Sequence, residues 1–130
     1  MDVAGALERL LQDSAQVERA VVLDAVGSVL GSTLADEHAT ERLASAAREL
    51  AASAGELHSS ADEVTRIEVE LEHGAVFLLR EGERAIVAIT RPNPTGGLVA
   101  YDLRTCLSAI DEKPERKRRR TNKTKQEGEG

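Results

Sequence analysis

The stretch AVVLDAVGSVLGST, residues 20–33, decides the fold. Val17 to Leu23 is rich in branched residues and reads as a strand. After Asp24-Ala25-Val26, Gly27 can take a positive φ at no steric cost, so Ser28 to Leu34 returns as the partner strand of a hairpin. Upstream, Val3, Leu7, Leu10 and Leu11 recur at helical spacing with Glu8, Arg9 and Gln12 opposite, which predicts a helix from about Asp2 to Asp13. Downstream, Asp36 caps a second helix, striped by Ala39, Leu43, Ala46, Ala47, Leu50 and Ala54 until Gly55 stops it. Small side chains on that stripe permit close approach to a sheet or another helix.

Farther on, Val64 to Leu71 alternates, with Thr65, Ile67, Val69 and Leu71 on one face and Arg66, Glu68 and Glu70 on the other, the pattern of a strand with one wet side. Ala75 to Arg80 and Arg84 to Thr90 are apolar on both faces, meet at Glu81-Gly82-Glu83, and read as central strands. Arg91-Pro92-Asn93-Pro94 breaks the sheet and Thr95-Gly96-Gly97 opens a last helix striped by Val99, Leu103, Cys106, Leu107 and Ile110.

Of the 130 residues, 1–111 can fold as one modest domain, while 112–130 lose all apolar periodicity and read as a disordered basic tail. Phe77 and Tyr101 are the only aromatics, so Leu, Val, Ile and Ala must build the core. Residues 1–111 hold 9 Arg, no Lys and 19 acids, a net charge of −10; residues 112–130 hold 4 Lys, 4 Arg and 4 Glu, a net of +4. Without lysine the body can form neither a P-loop nor a Schiff base. One cysteine allows no internal disulfide, and the acidic start Met1-Asp2-Val3 is unlike a signal peptide, so the expected location is cytoplasmic. No apolar run approaches a membrane span, Ala75 to Leu79 being the best on offer.

No group of residues has catalytic or metal-binding spacing, so the chain reads as a binding protein with no cofactor, no metal and no catalytic residue. His38, His58 and His73 fall on a helix, a loop and a turn, and read as surface side chains. Cys106 lies on the apolar stripe of the last helix and reads as core. Thr95-Gly96-Gly97 could offer N–H groups to an anion, a weak signal that specifies no ligand. Asp62-Glu63 and Glu68/Glu70 read as a solvated acidic surface, since nothing nearby would desolvate one of them.

The order helix, hairpin, helix, three strands, helix, with "AVVLDAVGSVLGST", "GAVFLL", "AIVAIT" and "GGLVAYDL" in their places, resembles the roadblock and dynein-light-chain family over about residues 2–111. The bacterial members that accompany Ras-like GTPases, and sometimes histidine kinases, are similar at Gly97 to Tyr101. The resemblance implies an α+β sandwich, order α-β-β-α-β-β-β-α: a five-stranded antiparallel sheet with one long helix on one face and the two terminal helices on the other. It also implies a homodimer through the third strand and second helix, and a non-catalytic platform or regulator for a small Ras-like GTPase. On this sequence the dimer interface would comprise Thr65, Arg66, Ile67, Glu68 and Val69 with Leu43, Ala47, Leu50 and Ala54. Glu37, Glu41, Arg42, Arg48 and Glu49 would face the partner.

In a symmetric antiparallel pairing of two third strands, opposed residue numbers add to an even total. Centring on Arg66 or Glu68 opposes like charges on the axis, whereas centring on Ile67 sets Arg66 against Glu68 of the other copy twice. Ile67 is therefore the expected centre. The tail, with Arg116, Lys117, Arg118, Arg119 and Arg120 at its heart, lies outside the family pattern. It supports a second reading, a dimeric protein attached to nucleic acid or an anionic membrane by charge alone, since no aromatic is present to stack on bases. It could equally dock on an acidic protein, including its own body, or have no dedicated partner.

Overall fold

The computed structural model describes residues 1–57 and 66–111, with 54–57 as helix backbone alone. The elements run α1 (Val3–Asp13), β1 (Val17–Leu23), β2 (Val29–Ser32), α2 (Glu37–Leu57), β3 (Arg66–Leu71), β4 (Gly74–Glu81), β5 (Arg84–Thr90) and α3 (Gly96–Ala109). The five strands form one antiparallel sheet in the order β2-β1-β5-β4-β3.

Period-two alternation along the strands divides the core into two layers. Ala20, Val22, Ala75, Phe77, Leu79, Ile86 and Ala88 point to one face, where Ala6, Leu7 and Leu10 of α1 and Val99, Leu103, Cys106 and Leu107 of α3 cover them. Val21, Leu23, Leu78, Ala85 and Val87 point to the other, beneath Leu43, Ala44 and Ala47 of α2. This is the expected sandwich, one long helix against two terminal ones.

Local chemistry sets the ends of these elements. Asp2 caps α1 by accepting from the Gly5 N–H at 2.8 Å, and Asp36 caps α2 by accepting from His38 N–H at 2.9 Å. In the hairpin turn the Asp24 carboxylate accepts from Val26 and Ser28 N–H at 3.0 and 2.9 Å, and Gly27 sits at φ +90°, in the left-handed region. These bonds absorb Ser28 into the turn. At the far end the Thr33 hydroxyl accepts from Ala20 N–H and the Ser32 hydroxyl from Leu34 N–H. So β2 spans Val29–Ser32, shorter than the expected Ser28 to Leu34.

Three expectations about the helices change. In α1, Ala6 is buried and Leu11 is exposed, because only the stripe that meets both the sheet and α3 is covered. In α2, Ala46 is exposed and Ala44 fully buried, the stripe being turned toward β1. The helix also passes through Gly55 to Leu57; a glycine inside a helix costs only about 1 kcal/mol relative to alanine, too little to end one by itself. The expected positions of Thr65, of the Asp62-Glu63 pair, of His58 and of the basic tail lie outside the described residues, as does the Ala54 side chain.

Candidate interaction surface

The two flanks and crest of α2 carry most of the expected interface residues, and the fold divides them. Leu43 and Ala47, expected at the dimer interface, are 7% and 1% exposed and pack on their own sheet. They brace the helix from below. Leu50 is half-buried against the same layer. At 100° per residue, Ala39, Ala46, Leu50 and Ser53 share one flank, facing away from the hairpin. Ala46 and Ser53 on it are exposed.

The opposite flank is bound to the hairpin. The Arg48 Nε donates to the Gly27 carbonyl at 2.9 Å, and its Nη1 donates to Glu41 Oε2 at 2.8 Å. The guanidinium beside Glu41 holds that carboxyl below the ordinary carboxylate range, first through the hydrogen bond and then through charge, and Glu41 raises Arg48 in return. Arg48 is thus a tether between α2 and the β1–β2 turn. Glu37, Arg42 and Glu49 are exposed, with Arg42 and Glu49 on the crest of the helix. The five residues expected to face a partner therefore form a crest and a separate tethered flank rather than one uniform platform.

Among the described residues, third strand β3 is an edge of the sheet and pairs with β4 alone, through Ile67↔Leu78 and Val69↔Val76. Its alternation follows the sequence as far as Val69: Ile67 and Val69 are half-buried and Arg66, Glu68 and Glu70 exposed, but Leu71, expected on the apolar face, is exposed at the end of the strand. Ile67 points to the α2 side of the sheet, and Val76 and Ile89 lie half-buried beside that same layer. On the other side the Arg66 Nη2 lies 3.6 Å from Glu68 Oε1, so the two charges expected to pair across a dimer axis already associate within one chain.

Remaining candidates resolve into structure. Cys106 is buried, its thiol donates toward the Ala6 carbonyl at 3.5 Å, and burial pushes its pKa up to about 11. It is a small core hydrophobe. At the start of α3 the Thr95 N–H is bound by the Gln16 side chain, which occupies one of the donors an anion would need. His38 and His73 are exposed. Among the described residues no three His, Cys, Asp or Glu side chains come together as a metal site, and no described helix is long and apolar enough to cross a membrane.

The five-stranded sheet, with one long helix on one face and two terminal helices on the other, defines an α+β sandwich domain. The chain belongs to the Roadblock/LC7 domain family, whose model matches residues 3–91; members of that family are in general non-enzymatic regulators or adaptors. Among solved structures, a Roadblock/LC7 domain from Streptomyces avermitilis is similar with a TM-score of 0.72 and 19% identity, covering 83% of this chain and 93% of that one. A second domain described in the same words and from the same organism has a TM-score of 0.67, 25% identity and coverage of 85% and 99%. MglB of Myxococcus xanthus has a TM-score of 0.67, 18% identity and coverage of 82% of each chain. No curated protein matches the sequence significantly.

Proposed function

We propose that the chain is a non-catalytic homodimeric adaptor that binds a small Ras-like GTPase and modulates or scaffolds its switching. The observation that carries this reading is the incomplete cover of the α2 face of the sheet. There α2 seals β1 and β5, while Ile67, Val69 and Val76 stay half-buried and Leu71 is 48% exposed beside the free edge of β3. An apolar, unpaired edge invites association. A second copy joined antiparallel along β3 would continue the sheet, and the flank of small residues Ala39, Ala46 and Ser53 lets two α2 helices approach. With Ile67 on the axis, Arg66 and Glu68 would exchange their contact within the chain for contacts across it. A partner GTPase would rest on the paired α2 crests, where Arg42 and Glu49 are exposed, and bias its switch regions by differential contact rather than by supplying a base. Membership in the Roadblock/LC7 family and likeness to MglB support the reading.

The test combines sedimentation with retention of a purified Ras-like GTPase loaded with GDP or a GTP analogue. The dimer is expected at micromolar concentration and Ile67→Asp is expected to give monomers. Arg42→Glu with Glu49→Arg is expected to abolish retention and leave the dimer intact. A monomer that retains no GTPase in either nucleotide state would sink the reading. The charge of residues 116–120 favours a second role, attachment to DNA or anionic membrane; replacing Arg116 and Arg118 to Arg120 by Gln should then remove a binding that falls steeply with salt.

A further inference from the structure

At one end of the sheet the β1–β2 turn, the β4–β5 turn, the start of α1 and the end of α3 enclose an open groove. Its apolar surface comes from Val3, Val26, Leu30, Leu107 and Ile110, and Val26 is 81% exposed. Three acids, Asp24, Glu81 and Glu83, stand on it against one cation, Arg84, whose Nη2 is already given to the Asp111 carbonyl at 2.9 Å. Glu81 pairs with Arg104, whereas Glu83 is exposed and has no ion-pair partner among the described residues.

The last described residues lie at this groove. Ile110 lines it, and Asp111 is pinned beside it: the Asp111 N–H donates to the Met1 carbonyl at 2.8 Å and its carboxylate lies 2.7 Å from the Met1 ammonium. The 19 residues that follow carry eight cations, four anions and no Val, Leu, Ile, Met or aromatic side chain. Such a segment has no apolar anchor to insert. Its Lys and Arg stems can nevertheless lie along an apolar floor while their charged heads reach carboxylates at the rim. Arg118, at the centre of the cluster, is seven residues past Asp111 and cannot stray more than about 25 Å from it. Tethering that short holds the effective concentration in the millimolar range, so weak charge attraction suffices.

We propose that residues 112–130 dock back onto this groove in the same chain, held by Glu83, Glu81 and Asp24. The tail would then be engaged by its own body, and an anionic surface would have to compete for it. This inference stands apart from the GTPase reading, since the groove lies at a sheet end and not on α2.

The full chain, isotopically labelled, would be compared by amide spectra with a full-length variant in which residues 116–120 are all replaced by Gln. Differences are expected at Val26, Gly82, Glu83 and 107–110, unchanged on dilution and lost in about 1 M salt, where the Debye length is about 3 Å. A second measurement is trypsin cleavage within 116–120 of the full chain. At low salt Glu83→Gln, an exposed substitution, should speed it several-fold, and at high salt not at all. Spectra that differ nowhere in the body, or only elsewhere than the groove, would overturn the proposal. So would equal cleavage rates, or differences that grow with concentration and so report a neighbouring chain.

Discussion

The two faces of the sheet are covered by unequal means, and the inequality separates what holds the chain together from what it offers to others. Against one face, α1 and α3 lie antiparallel, with Met1 at Asp111 and Ala6 at Cys106, and the apolar strand residues from Ala20 to Ala88 are buried, while Arg66, Glu68 and Glu70 of β3 present charged side chains there. Against the other, a single longer helix covers β1 and β5 and stops short of β3. One helix is about 10 Å wide and five strands span about 19 Å between the outer axes, so one helix covers a smaller part of the sheet than two do. The remaining apolar surface falls at Ile67, Val69, Leu71 and Val76.

The sharpest way to break this comparison is to truncate a residue under the two-helix face. Phe77, 1% exposed under the two helices, should cost about 3–5 kcal/mol when replaced by alanine, read by urea unfolding. An effect under about 1 kcal/mol would mean the two-helix layer is not the main core. Next comes the seam between α1 and the hairpin. A Cβ at Gly31 would clash with Val3 Cγ1, so Gly31→Ala should force α1 outward and lower stability by about 1–3 kcal/mol. If Val3→Ala in the same chain does not restore most of that loss, the clash is not the cause. Ile67→Asp should cost the isolated chain less than either, since Ile67 is only half-buried. Its effect should appear in sedimentation instead, and a large loss of chain stability would place Ile67 with the core rather than with an interface.

Smaller effects concern titration. Glu41 is held below the ordinary carboxylate range, so its contribution is present above that range and lost as pH falls through the lowered value. The hairpin tether should loosen in acid, and Glu41→Gln should flatten that part of the pH dependence of unfolding. Cys106 behaves oppositely. Its raised value keeps its contribution intact below the ordinary thiol range and removes it as pH climbs toward about 11. At neutral pH a thiol reagent should label it slowly in the folded chain and rapidly in urea; equal rates would contradict its burial.

Much of this was legible in the chain because apolar periodicity reports burial directly. The stripe Val99, Leu103, Cys106, Leu107 and Ile110 is buried throughout, and β5 spans Arg84 to Thr90 as read. Helix α2 was read less well. With alanine at 39, 44, 46, 47 and 51, its periodicity is satisfied by several rotations of the helix, and only contact with Val21 and Val87 selects the one that buries Ala44 and exposes Ala46. The tether from Arg48 to Gly27 spans 21 positions and has no local signature. Nor has the Arg66–Glu68 contact, which the sequence pattern assigned to two different chains.

By itself, then, the sequence determined the order of elements, the turn at Asp24 to Gly27, the wet and dry sides of β3 and the division of charge between body and tail. Those properties follow from neighbours in the chain: residue shape sets φ and ψ, and spacing sets which side chains share a face. The tertiary structure alone decided the strand order β2-β1-β5-β4-β3, which residues of α2 face the sheet, the capture of Arg48 by the hairpin, and the pinning of Asp111 beside an acidic groove. Each of these depends on contacts between residues far apart in sequence, whose energy exists only once the whole chain has closed.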